Sequence, residues 1–121
     1  MTYEEFDAFC DTLLGTTYVN QWGGSHVWKV GGKVFAIAGW HDDPKWPRIT
    51  FKTSDLAFDI LKEQPGLRPA PYLAPRGCKW IQHFEEPGLN DEDLKAYLTE
   101  AHRIISLKLT KKLQKELGLN Q

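Results

Sequence analysis

The chain has 121 residues, 15 Lys and Arg against 16 Asp and Glu, and a formal net charge of −1. That length suits one domain with a core of its own, and with 41% apolar residues and no run near the about 20 needed to span a bilayer it excludes a membrane helix. The neutral balance excludes a polybasic nucleic-acid binder, so any such role needs a local basic face.

The opening Met1-Thr2-Tyr3-Glu4-Glu5-Phe6-Asp7 has neither a positive start nor an apolar stretch, so no signal peptide is expected. Thr2 followed three residues later by Glu5 forms a capping box. Phe6, Phe9, Cys10, Leu13 and Leu14 recur at helical spacing, and Gly15 marks the stop. The period then changes. Val27 to Val30 and Lys33 to Ile37 are β-prone runs joined by Gly31-Gly32, which predicts a hairpin with a two-residue turn. In that register Trp28, Val30, Phe35 and Ile37 line one side, and Val27, Lys29, Val34, Ala36 and Ala38 the other.

A polar loop spans His41 to Pro47. Arg48 to Lys52 alternates as a strand with Ile49 and Phe51 inward and Arg48, Thr50 and Lys52 outward. Thr53 or Ser54 caps a second helix striped by Leu56, Ala57, Ile60 and Leu61, which Pro65-Gly66 ends. The prolines of Arg68-Pro69-Ala70-Pro71-Tyr72 predict irregular chain. Cys78 to Phe84 reads as a last strand with Trp80, Gln82 and Phe84 on one face. Asn90 caps a closing helix striped by Leu94, Tyr97, Leu98, Ala101, Ile105 and Leu109, with Gly118 as its stop. These elements predict a single α+β domain over 1–121: a mainly antiparallel sheet with three helices packed on one face.

Val30-Gly31-Gly32-Lys33-Val34-Phe35-Ala36, the strand ending in Lys52, the loop Pro69-Ala70-Pro71-Tyr72-Leu73, Trp80-Ile81 and the closing Leu109-Thr110-Lys111-Lys112 together resemble the MmcQ/YjbR family. The resemblance spans nearly the whole chain. It departs from the family at Ala101-His102, where a Ser-Tyr pair is usual, and at Trp22-Gly23-Gly24, which keeps part of a Pro-Trp-Gly-like element. The resemblance implies a CyaY-like, double-wing fold and a DNA-binding role.

Phosphate contacts need only positioned cations. Strand alternation directs Lys29, Arg48 and Lys52 outward; Lys33 tops the hairpin, and Arg76 and Lys79 flank the last strand. Trp40 and Trp46 beside the polar loop are candidate stacking surfaces for bases. The plainer reading is a solvated sheet face. The cations Arg103, Lys108, Lys111, Lys112 and Lys115 are read as complements to a helix dipole. Trp28 and Trp80 are read as core.

His26, His41, His83, His102, Cys10 and Cys78 lack zinc-like spacing, and the acidic start of the first helix (Glu4, Glu5, Asp7, Asp11) is read as capping, so no metal or cofactor is expected. Ser25-His26, Asp42-Asp43 and Cys78 offer no nucleophile–base pair, so no enzyme is expected. Two distant cysteines suit a reducing cytoplasm. The expected molecule is a monomer whose partner is DNA, or else a protein or small ligand.

Overall fold

A computed structural model describes residues 1–39, 46–71 and 78–121. α1 (Tyr3–Asp11) begins at the expected box: Thr2 Oγ1 accepts from Glu5 N at 3.2 Å, and Glu5 Oε1 accepts from Thr2 N at 2.9 Å. Phe6 and Cys10 are buried, and burial first, then the nearby Asp7 charge, pushes the Cys10 thiol pKa up, so it acts as a small apolar side chain. The helix ends at its C-cap Thr12, whose Oγ1 donates to Phe9 O at 2.6 Å.

β1 (Thr16–Gln21) pairs with β2 (Ser25–Val30), β2 with β3 (Lys33–Gly39), and β3 with β4 (Arg48–Lys52). α2 (Asp55–Leu61) leads to β5 (Leu67–Pro69) and then β6 (Trp80–His83). α3 (Asp91–Ser106) and α4 (Lys111–Glu116) close the chain. The six strands lie in the order β1-β2-β3-β4-β6-β5, every pair antiparallel. α1 packs on β1 and β2, α3 on β2 to β4, and α2 on β5 and β6. Their core joins Phe6, Trp28, Val30, Phe35, Phe51, Phe58, Ile81, Leu94 and Leu98. The architecture is the expected α+β sheet with helices over one face.

Gly31 and Gly32 form the expected two-residue turn, with Val30 opposite Lys33 and φ of +56° and +85°, a region open to glycine without strain. Beyond it the expected register is corrected. Lys29 pairs with Val34 but Trp28 pairs with Ala36, leaving Phe35 as an extra, bulged residue. The bulge reverses the facing of everything after it. Ala36 and Ala38 join Trp28 on the helix side, whereas Ile37 joins Val27 on the other.

Four more expectations need correction. β1 went unread because Thr-Thr-Tyr-Val-Asn-Gln is polar enough for an edge, where one side meets water. Leu67–Pro69 is strand rather than irregular chain: it is the opposite edge, where a proline costs no ladder bond. In α2 the buried residues are Phe58 and Leu61, while Leu56 and Ile60 are 71% and 53% exposed; Ser54, accepting from Ala57 N at 3.2 Å, sets that rotation. The closing helix is two helices, because Thr110 Oγ1 accepts from Leu113 N at 3.1 Å and caps a new start.

Candidate nucleic-acid interface

Directly paired residues share a face. The face away from the helices therefore carries Thr17, Lys29 and Val34 at the hairpin end, and Val19, Val27, Ile37, Thr50, Gln82 and Arg68 across the middle. Lys52 belongs to it on the hairpin side, Arg48 on the other. Trp80, opposite Lys52, is half-buried and packs against the hydrophobic core, as expected. The middle of the face is closed: Val27, Ile37, Thr50 and Gln82 are all buried. The expectation that Thr50 points to solvent fails there, and the cations stand around a closed centre rather than across an open one.

The strands carry five cations (Lys29, Lys33, Arg48, Lys52 and Arg68) and no carboxylate. None of these five is ion-paired among the described residues. Lys52 Nζ donates to Lys79 O at 3.4 Å. Burial first, and next the charge of Lys108, hold the Lys52 pKa below the ordinary lysine value; Lys79 adds to this, against Cys78 and Asp55. Lys79 is steadied by its ammonium lying 4.8 Å from the Phe58 ring centre. Lys108 follows α3, and its neighbour Leu109 packs so tightly on the hairpin that a Cβ on Gly31 would lie 2.5 Å from Leu109 Cδ1. That contact brings Lys33, exposed at the hairpin tip, to the same end. The structure therefore gathers Lys33, Lys52 and Lys79 and adds Lys108, which the sequence reading had assigned to the helix dipole.

Arg48 is set apart. It begins β4 and Lys52 ends it, about 13 Å along the strand. Lys29 is half-buried between Thr17 and Val34. Trp46 is 46% exposed and, with Pro47, His83, Phe84, Glu85 and Glu86, lines an open cleft of about 240 Å³ at the Arg48 end. There burial is the main cause holding the His83 imidazole pKa below its ordinary value. Trp40 and Arg76 lie outside the described residues, as do the loop from His41 to Lys45 and Tyr72 to Gly77.

Two arrangements were missed. Arg68 sits opposite Gln82 and donates to its Oε1 from Nε at 2.9 Å and Nη2 at 2.7 Å, with the guanidinium 4.3 Å from the Phe84 ring centre. The prolines around Arg68 hid the three-residue strand that places it. Asp7 accepts from His26 Nδ1 at 2.7 Å and Trp28 Nε1 at 2.9 Å, with the rings of Tyr3 and Tyr18 beside His26. This network pins α1 to β2, and only long-range pairing creates it. Among the described residues no three His, Cys, Asp or Glu side chains gather as a metal site, and no helix is long and apolar enough to cross a membrane.

The family model described as YjbR matches residues 11–104. The chain belongs to the YjbR family. The crystal structure of Deinococcus radiodurans protein DR2400, described as a DUF419 domain, has a similar fold: TM-score 0.82 and 23% identity, covering 98% of this chain and 88% of that one. No curated protein matches. In this YjbR chain the departure at Ala101-His102 has a local reason. Ala101 is fully buried, and His102 Nε2 donates to Leu14 O at 2.7 Å while standing edge-on to Phe35, tying α3 to the turn after α1.

Proposed function

We propose that this protein is a DNA-binding protein, not an enzyme, that meets the phosphate backbone with Lys33, Lys52, Lys79 and Lys108 at the hairpin end of its sheet. The observation that carries the reading is the charge segregation: five strand cations, no strand carboxylate, and Lys52 bonded to the Lys79 carbonyl at one end, where burial first and then the Lys108 charge hold its pKa down. Such clustering costs stability through like-charge repulsion, and a polyanion would relieve it. With four phosphate contacts, log affinity should fall against log salt with a slope of about −3 to −4. Changing Lys52 and Lys108 together to Glu should weaken binding to all DNA sequences alike, because phosphates carry no base identity.

Fluorescence anisotropy with single- and double-stranded oligonucleotides at several salt concentrations tests this. A folded Lys52→Glu/Lys108→Glu variant that binds as well as the parent removes the hairpin end as the site, and a parent with no salt-sensitive binding removes the DNA reading. A second reading, a protein-interaction module, draws support from the exposed Leu56 and Ile60 one turn apart on α2. It would be favoured if DNA binding were absent. Under either reading the two cysteines, both free, suit a reducing cytoplasm.

A further inference from the structure

The polar row Thr50, Gln82 and Arg68 crosses the second face of the sheet where apolar residues would pack at less cost. Thr50 and Gln82 are buried, and Gln82 Nε2 donates to Thr50 Oγ1 at 3.4 Å while Gln82 Oε1 takes both bonds from Arg68. A neutral amide thus receives a guanidinium whose usual mate is a carboxylate. Two residues before Thr50, on the same face of β4, stands Arg48. Its Nε is buried and has no hydrogen-bond partner, and no other buried side-chain nitrogen or oxygen of the described residues is left so. Arg68 reaches back over Phe84, the residue one step beyond β6 on the Arg48 side. Two guanidiniums, neither ion-paired among the described residues, therefore flank one corner of the sheet.

Buried polar groups are normally satisfied, and an unsatisfied guanidinium nitrogen is costly to keep. Glu85 and Glu86 stand in the adjoining cleft, yet neither forms an ion pair with Arg48 or Arg68. We propose that Arg48 and Arg68 together bind one phosphate-like oxyanion, with Gln82 and Thr50 holding the Arg68 fork in place. The Arg48 Nη groups and the Arg68 nitrogens not engaged by Gln82 are the donors, and the occluded Arg48 Nε–H gains its partner when the side chain turns toward the ligand. Planar forks of this kind match the oxygens of a phosphoryl group two at a time. The site goes beyond the DNA reading and does not need it. It lies at the opposite end of β4 from the lysines and beside two carboxylates, which would repel a long polyanion more than a single small one. The expected source is therefore a small phosphorylated molecule rather than the DNA backbone.

The full-length chain can be titrated with sodium phosphate against sodium chloride at equal ionic strength, following the arginine Nε–H resonances by NMR. Saturable shifts of the Arg48 and Arg68 signals are expected. Arg68→Met should weaken phosphate binding at least about tenfold, the loss of a charge-assisted hydrogen bond. Gln82→Glu supplies Arg68 with a built-in carboxylate and should abolish binding while the melting temperature holds or rises, which keeps the test sound if Arg68→Met folds poorly.

A labelled double-stranded oligonucleotide forms the second arm. DNA affinity unchanged by Gln82→Glu while phosphate binding is lost supports a free phosphorylated ligand. Parallel loss of both supports a backbone phosphate in the same site. No saturable phosphate response in the parent, or full phosphate binding by a folded Gln82→Glu variant, overturns the proposal. The Lys52→Glu/Lys108→Glu variant, which should keep phosphate binding, separates this failure from that of the DNA reading.

Discussion

Gly31 and Gly32 share a left-handed backbone but not a neighbourhood, so replacing each with alanine separates two physical effects. At Gly32 a Cβ meets nothing within 4 Å, and the cost of Gly32→Ala is the left-handed conformation alone, about 1–2 kcal/mol. At Gly31 the same strain applies, and a Cβ would also lie 2.5 Å from Leu109 Cδ1 and 3.0 Å from Cδ2. Leu109 is 7% exposed and cannot simply swing into water, so displacing it adds about 1–3 kcal/mol of overpacking. Gly31→Ala should therefore cost roughly 2–5 kcal/mol. At about 4 °C per kcal/mol for a domain of this size, the melting temperature falls by about 8–20 °C for Gly31→Ala and about 4–8 °C for Gly32→Ala. Circular-dichroism melts and urea titrations of both variants, and of each combined with Leu109→Ala, measure this. Leu109→Ala removes the obstructing methyls, so its double mutant with Gly31→Ala should be less destabilised than the sum of the singles, while that with Gly32→Ala should be additive. Equal losses for the two glycines, or additivity in both cycles, would refute the claim that Leu109 locks the hairpin, and with it the reason Lys33 stands at the lysine end.

Asp7→Ala strands the indole N–H of Trp28, which is 5% exposed, and should cost about 1–3 kcal/mol, seen as a lower urea midpoint; Asp7→Asn, which keeps an acceptor, should recover part of it. Thr110→Ala removes the cap of α4 and should cost about 1 kcal/mol, with faster amide exchange confined to residues 111–117. The folded chain holds the Lys52 proton less tightly than an ordinary lysine at 10.5, so the unfolded chain binds more protons between the lowered value and 10.5. Stability should therefore rise with pH across that window, and a Lys52→Met variant should lose this rise in pH-dependent melts.

The helix starts were legible because capping is local: Thr2, Ser54 and Asn90 each accept from the backbone three residues on, as the sequence implies. The Gly31-Gly32 turn was legible for the same reason. What failed depended on partners distant in sequence. One bulged residue, Phe35, reversed the facing of Ala36 to Ala38, and nothing in the sequence marks it, since Phe suits either side of a strand. The edge strands β1 and β5 were hidden because an edge tolerates polar residues and proline. The site divided along the same line. Alternation correctly placed Arg48 and Lys52 on one face, but only strand order and tertiary packing show that Lys108 joins Lys52 while the Arg68 guanidinium turns over Phe84 toward the Arg48 end.

A net charge of −1 hides a polarised molecule. The N-terminal ammonium lies 3.4 Å from Asp91, so α1 and α3 start side by side, and their first turns bring Glu4, Glu5, Asp91, Glu92 and Asp93 together. α3 then runs 16 residues, about 24 Å, before Lys108 joins Lys52 and Lys79. Each pole suits the helix dipole locally, which is why neither stood out in the sequence as more than capping. Joined by the fold, they separate charge over a distance greater than the roughly 8 Å screening length of physiological salt. A polyanion would then meet the lysine end as a positive surface although the whole chain is slightly negative, and the acidic pole would turn the molecule so that this end arrives first. The same polarity acts on the two arginines differently. Placed toward the acidic pole, they gain little from long-range steering and depend on short hydrogen-bond geometry, which favours one small oxyanion over an extended strand.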